Sequence, residues 1–144
     1  MKRIFVDSWG WCAMVNRREE YHELVQDLIA ELVAESAKLY TTNFIIDETY
    51  TLIRTRVHHR AAVEFHRKLQ IMINGKLLEV IYLTPEVEQD AWTIFERYDD
   101  KDFSFTLFLL FLLIKLFFLK EKFGYRLYFL CGNEATTHCI GNHR

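Results

Sequence analysis

Two carboxylates stand where chemistry can be done. Asp7 closes the apolar run Arg3-Ile4-Phe5-Val6, and Glu48 lies within Phe44-Ile45-Ile46-Asp47-Glu48-Thr49. An acid at the end of an apolar strand is costly to bury without a partner. Two such acids from separate elements make a site for a hard divalent cation, Mg²⁺ or Mn²⁺, whose preferred ligands are oxygens. The plain alternative is two ordinary surface carboxylates, one at a strand end and one favoured by a helix N-terminus. On a helix Asp47 points about 100° away from Glu48, so at most one of them faces a shared site.

Other clusters are less specific. Asp99-Asp100-Lys101-Asp102 is a second acidic group, with Ser104 and Thr106 following on alternate positions. Alone, such a run reads as a solvated loop. Arg54, Arg56, His58, His59, Arg60, Arg67 and Lys68 form a basic stretch that can contact phosphates or simply make a solvated face. His58 and His59 are not spaced as metal ligands. Trp9 and Trp11 can stack a base, though packing over a sheet edge is the commoner use of such aromatics. His138, Cys139 and His143 fit no zinc spacing.

The elements that must position these groups alternate. Residues 3–7 read as a buried strand ending in Asp7. Residues 20–39 carry Leu24, Val25, Leu28, Ile29, Leu32, Val33 and Leu39 at helical spacing, an amphipathic helix. Tyr40 to Thr42 is β-prone, and Asn43 can cap a helix from about Phe44 to Arg56. A further helix from about His59 to Ile73 ends at Asn74-Gly75, where Gly accepts the left-handed conformation. Leu77 to Leu83 reads as another buried strand. Thr84-Pro85 opens a helix with Thr as N-cap and Glu86 and Glu88 at the positive end of its dipole. Strands alternating with helices define an α/β sandwich with a mostly parallel sheet. Working residues there sit at the carboxyl ends of strands.

The chain has 144 residues, 51% hydrophobic and 15% aromatic, which fits one domain with a real core and excludes a disordered chain. A formal net charge of −2 gives no bulk signal for nucleic acid, so such a partner rests on local patches. Cys12, Cys131 and Cys139 are an odd number in a chain whose Asp7 interrupts any secretory leader, so reduced thiols in the cytoplasm are expected.

The character changes at Leu107. Residues 107–119 contain only Leu, Phe, Ile and one Lys. A membrane span from Phe103 is disfavoured, because it would be near the lower length limit for a bilayer of about 30 Å and would bury Lys115. We read residues 107–144 as the product of a shifted reading frame. The alternative is a divergent buried helix followed by a strand around Tyr125 to Leu130.

The chain resembles the PIN-domain family, in particular its VapC-like toxin ribonucleases. The matching residues are Ile4-Phe5-Val6-Asp7-Ser8, Tyr40-Thr41-Thr42-Asn43-Phe44-Ile45-Ile46-Asp47-Glu48-Thr49 with Leu52-Ile53-Arg54, and Arg97-Tyr98-Asp99-Asp100-Lys101-Asp102-Phe103-Ser104-Phe105-Thr106. The resemblance covers about residues 3–106 and implies a three-layer sandwich in a single PIN-like domain over 1–144. It also implies a Mg²⁺- or Mn²⁺-dependent endoribonuclease with an RNA substrate, an antitoxin protein as partner and a homodimeric state. Asp7 and Glu48 match the first two metal-binding acids, and Ser8 and Asn43 match polar residues beside them. Arg54 or Arg56 would meet RNA phosphate or an antitoxin carboxylate. In the family pattern the Ser-x-Thr stretch, here Ser104 to Thr106, leads into a further acid. Leu107 stands there instead, and Asp102 is the nearest stand-in. That departure leaves open a catalytically inactive module that binds an antitoxin or RNA.

Overall fold

The computed structural model describes residues 2–97 and the backbone of residues 127–130. In chain order the elements are β1 (Arg3–Val6), α1 (Ser8–Val15), α2 (His22–Ala34), β2 (Lys38–Thr42), α3 (Asn43–Arg56), α4 (His59–Asn74), β3 (Leu78–Ile81), α5 (Pro85–Arg97) and β4 (Leu127–Leu130). The described residues fall in two compact units, residues 2–81 with 127–130 and residues 82–97.

The first unit carries a four-stranded sheet of order β3-β2-β1-β4 in which every pair is parallel. Parallel strands need crossover connections, and helices supply them: α1 and α2 between β1 and β2, and α3 and α4 between β2 and β3. The central strands are buried after their first residues because both their faces are covered. Ile4, Phe5, Val6 and Leu39 are at most 1% exposed. The expected α/β architecture with a parallel sheet is therefore what the chain adopts. β4 lies within the stretch around Tyr125 to Leu130 where the genuine-frame alternative puts a strand.

Several boundaries differ from the sequence expectation, each for a local reason. The helix expected over residues 20–39 stops at Ala34, because Leu39 serves β2 and Ser36 turns the chain with φ 57°. The cap of α3 is Thr42, whose Oγ1 accepts from the Ile45 N–H at 3.2 Å, and Asn43 is already helical. Gly75 follows α4 as expected, yet its φ is −77°; the left-handed residue is Lys76 at φ 58°. A non-glycine side chain is strained there. Lys76→Gly is expected to stabilise the chain by up to about 1 kcal/mol, since relief of strain outweighs the added unfolded-state freedom. Comparing urea midpoints of the two chains measures it.

The second unit contains α5. Thr84 Oγ1 accepts from the Val87 N–H at 3.4 Å, as expected of the cap. Ala91 is buried, with Leu83, Val87 and Ile94 packed against it.

Candidate active site

The site is built where β1 and β2 end side by side. Phe5 lies opposite Tyr40, and each strand runs into a helix, so the N-terminal ends of α1 and α3 come together at the carboxyl edge of the sheet. Asp7 is the junction between β1 and α1. Its Oδ1 accepts from the Gly10 N–H at 2.9 Å and caps α1, while its carbonyl accepts the first helical bond from Trp11 at 3.1 Å. The cap holds the carboxylate in a single orientation.

Beneath Asp7 lies a buried polar chain. Trp11 is fully buried, and its Nε1–H donates to Thr41 Oγ1 at 3.3 Å. Thr41 in turn donates to the Val6 carbonyl at 3.0 Å. One hydroxyl thus ties α1, β2 and the last residue of β1 together immediately before Asp7. Sequence reasoning missed this role for Thr41. It also missed α1 itself, although Asp7-Ser8-Trp9-Gly10 places a capping acid three residues ahead of the N–H it accepts. Because Trp11 is buried, it cannot stack a base. Trp9 meets the Tyr21 ring edge-on, with centroids 5.7 Å apart.

Glu48 is exposed in the second turn of α3. Its charge reaches Asp7. Burial pushes the Asp7 carboxyl up to about 6, the Gly10 N–H holds it down, and the nearby Glu48 charge raises it further. Asp7 has no ion pair with any described residue. The structure therefore brings Asp7 and Glu48 into electrostatic contact without a neutralising side chain among the described residues. Ser8 and Asn43, the first residues of α1 and α3, flank the pair, and both are half-buried. Among the described residues no group of three or more His, Cys, Asp or Glu gathers. Asp102, Ser104 and Thr106 lie outside the described residues.

Arg54 and Arg56 are separated. Both are exposed in the last turn of α3, but two residues on a helix point to nearly opposite sides. Arg54 Nη1 approaches His59 Nδ1 at 3.5 Å and borders a shallow depression with Tyr50 and His66. Arg56 lines a different cavity and lies close enough to Cys12 to oppose the upward push of burial on that thiol, which sits at about 11. Cys12 is buried and free. No described helix is long and apolar enough to cross a membrane. Residues 103–119, the span considered above, lie outside the described residues.

The parallel sheet with an acid at the carboxyl end of its first strand and a second acid on the helix after the next strand is the arrangement of a PIN domain. A 23S rRNA-specific endonuclease VapC20, found in two strains of Mycobacterium tuberculosis, is 31% identical over 102 residues, covering 71% of this chain and 72% of the relative. The crystal structure of Mycobacterium tuberculosis VapC20, described as a sarcin–ricin loop cleaving toxin, superposes with a TM-score of 0.63 at 28% identity, covering 78% of this chain and 82% of that one. No family model matches the chain. The chain belongs to the VapC-like PIN-domain family.

Proposed function

We propose that this chain is a divalent-cation-dependent endoribonuclease, the toxin of a toxin–antitoxin pair, acting in the cytoplasm. The observation that carries this reading is the Asp7–Glu48 pair: two carboxylates from separate helix starts, one desolvated, with no counter-charge among the described residues. Oxygen donors of this kind suit Mg²⁺ or Mn²⁺. Asp7 and Glu48 would hold the ion, with Asp102 as the third acid on the sequence reading. Such an ion supplies charge neutralisation at the phosphate and a more acidic bound water.

The chain's own residues do the rest. Asp7 is locked by its cap to Gly10, so its free oxygen is presented without rotamer loss. Ser8 and Asn43 stand at the positive ends of α1 and α3, where helix dipoles favour an anionic phosphate. Arg56 adds a cation for the RNA backbone at the far end of α3, and Arg54 offers another on the opposite side of that helix for RNA or for an antitoxin carboxylate. The likeness to an rRNA-cleaving toxin supports RNA as substrate and an antitoxin protein as partner. A homodimer is the assembly we expect.

Incubating labelled RNA with the full chain in Mg²⁺ and in EDTA tests this. Cleavage should need the cation, and Glu48→Gln should lower the rate at least a hundredfold while antitoxin binding is kept. RNA or antitoxin binding without any cleavage, in Mg²⁺ or Mn²⁺, would instead establish an inactive binding module.

A further inference from the structure

At the end of α1 remote from Asp7 the molecule gathers positive charge for which the acid pair has no use. The last turns of α1 and α3, the first turn of α2 and the start of α4 enclose a cavity of about 460 Å³. Its wall carries Arg17, Arg18, Arg56, Lys68, His22 and His58. Glu64 is the acid on that wall, and Arg60 Nε already donates to its Oε1 at 3.1 Å. Neither the three arginines nor the lysine forms an ion pair with a described residue.

The two imidazoles are oriented by the backbone. His22 Nδ1–H donates to the Ala13 carbonyl at 2.7 Å, which leaves Nε2 of the neutral ring as an acceptor, suited to a ribose hydroxyl rather than a phosphate oxygen. His58 Nδ1 accepts from the Ala61 N–H at 3.0 Å, so its proton sits on Nε2 and is available to an acceptor. The positive end of the 16-residue α4 opens on the same wall. Cations gathered in one concavity repel each other, and an anion spread across them removes that cost.

We propose that this cavity seats an RNA phosphodiester away from the bond being cut, so that the strand runs along α1 from the acid pair to the basic wall. The inference rests on the ribonuclease reading above. α1 has eight residues, so its two ends are roughly 12 Å apart, a distance one strand bridges within a few nucleotides. A strand is also the better occupant on charge. A carboxylate from a partner protein satisfies one or two of these cations, whereas RNA brings a charge with every nucleotide.

The test uses the full chain carrying Asp7→Asn, to stop cutting, and a fluorescein-labelled single-stranded RNA containing the cleavage site. Adding Arg17→Gln with Lys68→Gln is expected to weaken binding at least tenfold. The dependence of log affinity on log salt should flatten by about 0.7 for each phosphate that is no longer neutralised. Lys76→Gln, which removes a charge away from the cavity, should change neither. A neutral methylphosphonate linkage a few nucleotides from the cleavage site should weaken binding to the parent but not to the double variant. These side chains are exposed, so unchanged thermal melting is expected to confirm folding. Unchanged affinity and salt slope in the double variant, while the natural chain still cuts RNA, overturns the basic seat and leaves the ribonuclease reading standing. Lost affinity for an acidic antitoxin with RNA binding intact overturns it in favour of a protein-docking surface. A natural chain that neither binds nor cuts RNA in Mg²⁺ overturns both.

Discussion

Asp7→Asn is expected to abolish RNA cleavage and, in EDTA above pH 6, to raise the melting temperature of the chain. The two effects have one cause. The Asp7 carboxyl is pushed from its ordinary 3.8 to about 6, first by burial and then by the Glu48 charge. Between those values the folded chain binds more protons at this group than the unfolded chain does. Stability therefore falls as pH rises from about 4 to about 6, and the full penalty persists above that window. A shift of this size corresponds to at most about 3 kcal/mol. Asn keeps the cap, because its amide oxygen accepts from Gly10 as well as the carboxylate does. It removes only the desolvated charge.

Two comparisons check the argument. The gain from Asp7→Asn should fall to about half its full size at pH 5 and shrink toward zero only below about pH 4. In saturating Mg²⁺ the order should reverse, because a ligand that binds only the folded natural chain stabilises it by mass action. An asparagine variant that melts below the natural chain in EDTA at pH 8 would sink the account.

Trp11→Ala should produce the second large effect, a loss of about 3–5 kcal/mol. That is a large share of the 5–15 kcal/mol typical of a whole domain. Trp11 is fully buried, and its ring lies 5.8 Å from that of Phe65, so truncation opens a cavity between α1 and α4. It also removes the donor to Thr41 Oγ1, which keeps its own bond to the Val6 carbonyl. Two milder changes separate packing from hydrogen bonding. Trp11→Phe keeps an aromatic ring and removes the donor, and Thr41→Val keeps the volume and removes the hydroxyl. Thr41→Val should cost about 1–3 kcal/mol, since it leaves the Trp11 N–H buried without its acceptor. Combined, the two should cost less than their sum, because they break the same bond. Urea unfolding of the four chains measures the coupling. Strict additivity would mean that the bond seen at 3.3 Å contributes nothing.

Much of this was legible in the residues. The strands around β1, β2 and β3 announce themselves as short apolar runs, and the acid at the end of the first is visible from its neighbours. α3, α4 and α5 carry helical spacing, and the Thr84 cap of α5 is recognisable. α1 does not. Its sequence Ser8-Trp9-Gly10-Trp11-Cys12-Ala13-Met14-Val15 is apolar on nearly every side, with a glycine inside, so it shows no stripe. Packing against the sheet and α3, rather than propensity, makes it helical. Thr41 was equally hidden, because a threonine in a strand is ordinary until its hydroxyl is seen spanning two elements. The basic wall was half visible. Arg56 and Lys68 belong to an evident basic stretch, but Arg17 and Arg18 lie far away in the chain and join it only through the fold. Glu48 was found from its place in a helix that follows a strand, yet its influence on Asp7 depends on two parallel strands ending level.

The β1–β4 pairing sets when the protein can exist at all. Arg3 pairs with Leu127 and Val6 with Leu130, so the first strand of the chain waits for the last described one. Closing so long a loop costs roughly 4 kcal/mol in chain entropy beyond a constant. During synthesis β1 leaves the ribosome early and keeps one edge open until residues 127–130 emerge. The strand that delivers Asp7 is thus the last to be walled in. On the toxin reading proposed above, the chain would remain incompletely assembled for most of its translation, and an antitoxin would have that time to meet it before the Asp7 site is finished.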